Sequence, residues 1–265
     1  MEPEALLHVQ DLKVGVRVGK RMKFVIEEVS LMIRRGEVLG LVGESGSGKS
    51  LICAALLGLL PPAADVQAGQ VLLESIDLLR LPPKRLRQIR GAQIAFIPQN
   101  PMTACNPSLT IGQHFLETLR AHGNSGSKRE RLECAVAILE QVGLPRAGQI
   151  VGLYPFELSG GMLQRVLIAL AAVLQPKVLV ADEPTTALDP DNQELVLSCL
   201  RNLCAEHKMG MLLVSHDLHL LSRCARQTAV LHTGRIVESG LLCDVMRDPQ
   251  HAFTRALVNA AVSKV

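Results

Sequence analysis

Gly43-Glu44-Ser45-Gly46-Ser47-Gly48-Lys49-Ser50 lies between two segments of different character. Before it, Val38-Leu39-Gly40-Leu41-Val42 is apolar throughout, as a strand buried on both faces is. After it, residues 51–60 are predicted to be helical, with the helix ending at Pro61-Pro62. The octet fits G-x-x-x-x-G-K-[ST] at every fixed position, in the strand-turn-helix context that gives the pattern meaning. Glycines let the chain curl so that successive N–H groups point at phosphate oxygens, and the helix N-terminus adds partial positive charge. Lys49 is placed to reach the β- and γ-phosphates of a bound triphosphate, and the Ser50 hydroxyl to ligate Mg²⁺.

Further strands read outward from this one. Val14, Val16 and Val18 alternate with Gly15 and Arg17, and Val25, Val29, Leu31 and Ile33 continue in the same manner. Residues 94–97, 178–181 and 211–214 are short apolar runs, with helical stretches over 108–142 (broken by a polar loop at 123–127), between 181 and 211, and over 252–262. Strands alternating with helices predict an α/β domain with a mainly parallel sheet. In such sheets ligands bind at the carboxyl ends of the strands. Asp182-Glu183 ends the 178–181 run. Asp182 is suited there to hold Mg²⁺ through water and Glu183 to orient or deprotonate an attacking water. Taken alone, the pair also fits a helix N-cap followed by Pro184 in the first helical turn.

Composition bounds the function classes. The 265 residues are 48% apolar and 20% charged, which excludes disorder as the main state. Mean hydropathy is +0.25, yet no apolar run approaches the ~20 residues that span a bilayer; the longest are 51–60 and 166–174. Five Phe, one Tyr and no Trp argue against binding bases by repeated stacking, and 28 Lys and Arg against 25 Asp and Glu is too even for a general nucleic-acid binder. Met1-Glu2-Pro3-Glu4 lacks the basic start of a signal peptide. Seven scattered cysteines without C-x-x-C spacing argue against zinc and for a reducing cytoplasm; Cys53, Cys199 and Cys204 read as small core hydrophobes.

Leu158-Ser159-Gly160-Gly161-Met162-Leu163-Gln164-Arg165, just upstream of the Asp182-Glu183 strand, resembles the signature motif of the ABC-transporter ATPases. Other landmarks of that family fall in order: Gln99 after a short strand resembles the Q-loop glutamine, Ala187-Leu188-Asp189 the D-loop, and His216 after Val214-Ser215 the switch histidine. The resemblance covers nearly the whole chain. It implies a P-loop NTPase fold with a RecA-like parallel-sheet core, an N-terminal antiparallel β part and an inserted helical subdomain. On that pattern residues 1–245 are the ATPase domain, with the helical subdomain at about 100–165 and a short helical extension over 246–265. It implies ATP and Mg²⁺ as cofactors, with Gly43 through Ser50, Gln99, Ser159, Gly160, Gly161 and Asp189 at the nucleotide. Ser50, Gln99 and Asp182 would hold Mg²⁺, and Glu183 and His216 would be catalytic. Ser159, Gly160 and Gly161 precede a helix expected to start near Met162, a second anion-binding N-terminus. One triphosphate does not need two, and the family's answer is head-to-tail packing of two ATPase domains. Two departures stand out: Met162 replaces the commoner glutamine, and the adenine-stacking aromatic is replaced near Val16, where Arg17 or Phe24 could substitute.

Residues 99–110, Pro249-Gln250-His251-Ala252-Phe253-Thr254-Arg255-Ala256-Leu257, and Tyr154-Pro155-Phe156-Glu157 resemble the dipeptide/oligopeptide/nickel importer branch. The last of these, with Leu163-Gln164-Arg165, points to nickel as cargo, with peptides as the alternative. The branch implies a second, non-identical ATPase, two membrane permeases, a substrate-binding protein acting indirectly, and a peripheral place on the cytoplasmic face of the inner membrane. No nucleic-acid partner is expected. Met102, Leu109, Ile111 and Phe115 are expected to line a groove for a short permease helix. Soluble ABC ATPases usually carry two cassettes or a long coiled coil, neither seen here, and the signature argues against a P-loop kinase or GTPase.

Overall fold

The computed structural model describes residues 5–186 and 188–262. Ala187 of the D-loop motif, the acidic residues 1–4 and the last three residues of the expected extension lie outside them. In chain order the elements are β1 (Ala5–Val18), β2 (Arg21–Arg34), β3 (Val38–Val42), α1 (Lys49–Leu56), β4 (Ala64–Leu73), β5 (Ile76–Asp77) and α2 (Pro83–Ile89). Next come β6 (Ile94–Ile97), α3 (Pro101–Ala104), α4 (Ile111–Ala121), α5 (Lys128–Gln141), α6 (Ala147–Ile150), α7 (Gly160–Ala172), β7 (Val178–Asp182) and α8 (Pro190–His207). The chain ends with β8 (Gly210–Ser215), α9 (Leu218–Ser222), β9 (Gln227–His232), β10 (Arg235–Leu241), α10 (Leu242–Arg247) and α11 (Ala252–Val262). The chain divides into two compact units, residues 1–90 with 210–265, and residues 91–209.

The first unit holds an antiparallel sheet in the order β2-β1-β4-β5. It also holds β3 with β8 and β9 parallel on either side, and β10 antiparallel to β9. The alternation read at Val14, Val16 and Val18 is a gradient as well: Val14 is buried, Val16 half-buried and Val18 exposed as the hairpin leaves the core. β3 and β8 are buried at every residue, which explains the unbroken apolar runs Val38–Val42 and Met211–Val214. α1 stops at Leu56, earlier than the predicted end at Pro61-Pro62, because Gly58 turns the chain in the left-handed conformation at φ +58°.

The second unit pairs β6 and β7 in parallel, and α7 packs on β6 while α3, α4, α5 and α8 pack on α7. The polar loop at 123–127 separates α4 from α5, and each helix opens with a capping box, Thr110 with Gln113 and Ser127 with Glu130. α8 begins at Pro190 with Asp189 as its N-cap, so the reading of Asp182-Glu183-Pro184 as a helix start is wrong; residues 183–186 form a turn. The expected groove stripe is also corrected: Ile111 and Phe115 are fully buried in the unit's core, while Met102 is exposed. Cys53, Cys199 and Cys204 are buried, and no disulfide forms among the described residues. No helix of the described residues is long and apolar enough to cross a membrane.

Candidate nucleotide site

In the first unit, β3 delivers the chain into the glycine turn and α1 leaves it. Gly46 and Gly48 adopt φ of +80° and +108°, which residues with a Cβ avoid. Gly48 is the N-cap of α1 and supplies no side-chain cap, so no side chain closes that helix start. A Cβ on Gly48 would strike Ile26 of β2, and one on Gly43 would strike the Leu231 carbonyl and come within 2.9 Å of Ser47 Oγ. The turn is thus wedged between β2 and the end of β9, and only glycine fits. Lys49 is buried, and its Nζ donates to the carbonyls of Gly43 (2.8 Å) and Glu44 (2.9 Å). Ser47 N–H returns to Glu44 O at 3.2 Å, while Ser47 Oγ is buried without a hydrogen-bond partner. A buried orphan hydroxyl, an uncapped helix start and a folded-back ammonium fit a polyanion. Ser50 is exposed on the first turn of α1. His216 is exposed between the end of β8 and α9, whose N-cap Asp217 accepts from His219 N–H at 2.8 Å.

In the second unit, Asp182 is the buried last residue of β7. Glu183 follows at φ +45°, a left-handed conformation uncommon outside glycine, and is half-buried. Its Oε2 accepts from Gln99 Nε2 (3.3 Å) and Thr186 Oγ1 (2.9 Å). The structure therefore brings Gln99, expected from sequence, onto Glu183, and adds Thr186, which sequence reading missed. Its signal was present: Thr186 lies three residues after Glu183, the separation a tight turn brings together.

The signature segment is corrected in one respect. α7 starts at Gly160, two residues before the expected start, because Ser159 is its N-cap and accepts from Met162 N–H at 3.3 Å. Gly161 packs against Asn192 of α8; a Cβ there would lie 2.6 Å from Asn192 Cγ. Asn192 in turn donates its side-chain amide to Asp189 Oδ2 at 2.7 Å and its N–H to Oδ1 at 3.0 Å. These bonds, the side-chain one first, hold the Asp189 carboxyl below its ordinary range. Within this unit, signature and D-loop residues thus meet through Asn192, a residue the motifs did not flag. Arg165 fixes the helix further, donating to Gly161 O at 3.3 Å and Gly143 O at 2.7 Å.

In the first unit Ser50 offers a hydroxyl, and in the second Asp182 and Gln99 offer carboxylate and amide oxygens, each a hard donor of the kind Mg²⁺ selects. Among the described residues no group of three or more His, Cys, Asp or Glu could hold a metal alone.

The profile of the ABC transporter family matches residues 26–186. The chain is 41% identical over 256 residues to the dipeptide transport ATP-binding protein DppD of Haemophilus influenzae, a match spanning 97% of this chain and 77% of that protein. It is 39% identical over 258 residues to DppD of Escherichia coli K12, spanning 97% of this chain and 78% of that one. Among solved structures, a dimeric ATP-binding cassette in a post-hydrolysis state, bound to ADP and Pi, matches with a TM-score of 0.79 at 27% identity, over 89% of this chain and 98% of the other. These relatives overturn the expectation of nickel as cargo. The segments that prompted it do structural work: Tyr154 N–H donates to Glu157 Oε2 at 2.7 Å, and Arg165 donates to the carbonyls of Gly161 and Gly143. Such contacts serve the fold whatever is carried.

Proposed function

The chain belongs to the ABC transporter family of ATPases, and on that footing we propose that it is the ATP-binding subunit of a peptide importer, with dipeptides as the cargo class. The observation that carries the cargo reading is the 41% identity, over 97% of the chain, to a protein named for dipeptide transport.

The side chains divide the work of ATP hydrolysis. Gly43 through Ser50 wrap the phosphates: the α1 start and turn amides bind oxygens, and Lys49 exchanges its carbonyl partners for the β- and γ-phosphates. Ser50, Asp182 and Gln99 would hold Mg²⁺, which would neutralise charge on the phosphates. Glu183 accepts the proton of the attacking water, oriented by its bonds from Gln99 and Thr186. His216 contacts the γ-phosphate. Ser159, Gly160, Gly161 and Asp189 serve a second, non-identical ATPase subunit, so that nucleotide draws the two chains together and hydrolysis releases them. Residues 1–245 form the ATPase domain, with residues of about 100–165 facing two permease subunits and 246–265 as a C-terminal extension. The protein works peripherally at the cytoplasmic face of the membrane, and a substrate-binding protein supplies cargo indirectly. The test is uptake of labelled dipeptide by a deletion strain carrying the wild-type gene or none. Restored uptake supports the reading, and equal uptake in both removes it.

A further inference from the structure

Lys13, Arg17, Lys20, Arg21 and Lys23 crowd the β1–β2 hairpin. They are five of the protein's 28 Lys and Arg in a segment, 13–23, with none of its 25 Asp and Glu. The last ladder pair between β1 and β4 is Val16 with Ala64, and the hairpin runs on as two strands through Arg17–Met22 and Val18–Arg21. Gly19 turns the tip at φ +62°, and a Cβ added there would meet nothing within 4 Å, so the tip projects into open space. Arg17, Lys20, Arg21 and Lys23 are exposed and have no ion-pair partner among the described residues.

Apolar side chains are interleaved with these cations. Val18 is 62% exposed and Phe24 42%, and the Lys13 ammonium stands 4.0 Å over the Phe24 ring. A two-stranded ribbon is marginal in water, and like charges along it repel, so the pattern does not serve the hairpin's own stability. It calls for a partner that is negative and also accepts aliphatic and aromatic groups. Nucleic acid meets only the first demand: residues 13–24 contain no Asn or Gln to read base edges and a single ring to stack on. A lipid surface meets both when the tip enters it end-on, since headgroup phosphates take the cations while Val18 on one face of the ribbon and Met22 and Phe24 on the other enter the interface.

We propose that the tip of the β1–β2 hairpin docks on an anionic phospholipid bilayer. This goes beyond the cargo reading and does not depend on it. The full-length protein is sedimented with phosphatidylcholine vesicles with and without phosphatidylglycerol. Partition into the phosphatidylglycerol vesicles only is expected, lost at roughly 1 M salt, where the Debye length is about 3 Å. Lys20→Glu with Arg21→Glu is expected to weaken partition by about tenfold or more, with ATPase activity unchanged in vesicle-free solution. If that variant does not fold, Lys20→Gln with Arg21→Gln serves, with a several-fold loss expected. Equal partition into both vesicle types overturns the proposal. So does a charge variant that still binds, a raised KM for ATP in that variant, or tighter binding of a DNA oligonucleotide than of the vesicles.

Discussion

Glu183 is held in place twice, by its left-handed backbone and by the hydrogen bonds from Gln99 and Thr186. A non-glycine residue in that conformation costs of order 1 kcal/mol, and such strain clusters at working sites. Glu183→Gln keeps the shape and removes the base, so ATP hydrolysis should fall by roughly 10²–10⁴ while ATP binding persists. Single-turnover hydrolysis beside nucleotide binding checks this, and near-normal turnover removes Glu183 from its role. Thr186→Ala deletes one bond to a charged acceptor and should lower kcat by about tenfold, with little change in KM. At Cys199, burial pushes the thiol up to about 12, against a smaller opposing pull from Arg165. The folded state favours the protonated thiol, so its contribution to stability is full below the ordinary value of 9.0 and is lost as pH rises toward about 12. Urea unfolding at pH 8 and pH 10 should show a loss of stability that Cys199→Ala reduces. The strand-turn-helix setting of the phosphate turn and the place of Asp182 at the end of a buried strand were legible because short motifs fix spacing. Thr186 and Asn192 were not, because their roles arise from where a turn and a neighbouring helix place them.

Elements with strong patterns were read correctly, and weak patterns were missed. β3, β6, Val178–Ala181 of β7 and Met211–Val214 of β8 are unbroken apolar runs because they are buried or nearly so, and α11 spans the stretch expected at 252–262. β4 went unseen because Ala64 to Gln70 is largely exposed and mixes small and polar residues. α2 was hidden by Pro82-Pro83, although proline is tolerated in the first turn of a helix. Ile111 and Phe115 were assigned to a surface groove because periodicity marks the apolar face of a helix without saying what covers it. The caps give a test at this scale. Thr110→Ala removes the bond to Gln113 N–H and half of a capping box, and should cost about 1 kcal/mol, measured by urea unfolding. Gly161→Ala pushes Asn192 away from Asp189. ATPase activity should fall well before the melting temperature does, and the reverse order would make the contact purely structural.

At the scale of the molecule, a greasy, ring-poor chain becomes intelligible. Mean hydropathy of +0.25, with no spanning helix among the described residues, reflects strands of Val, Leu and Ile buried on both faces. The charge that remains is uneven: segments 13–23 and 80–90 each carry five Lys or Arg and no Asp or Glu. The family was legible in six ordered motifs, whereas the cargo was not, because the segments that resemble the importer branch cap helices and anchor the C-terminal turn. The central claim, an ATPase that drives peptide import, is tested most directly by labelled dipeptide uptake in a deletion strain complemented with wild type or with Glu183→Gln. The account predicts that wild type restores uptake and Glu183→Gln does not, although both proteins accumulate and bind ATP. Dipeptide uptake that is the same with wild type, with Glu183→Gln and with no gene would contradict it.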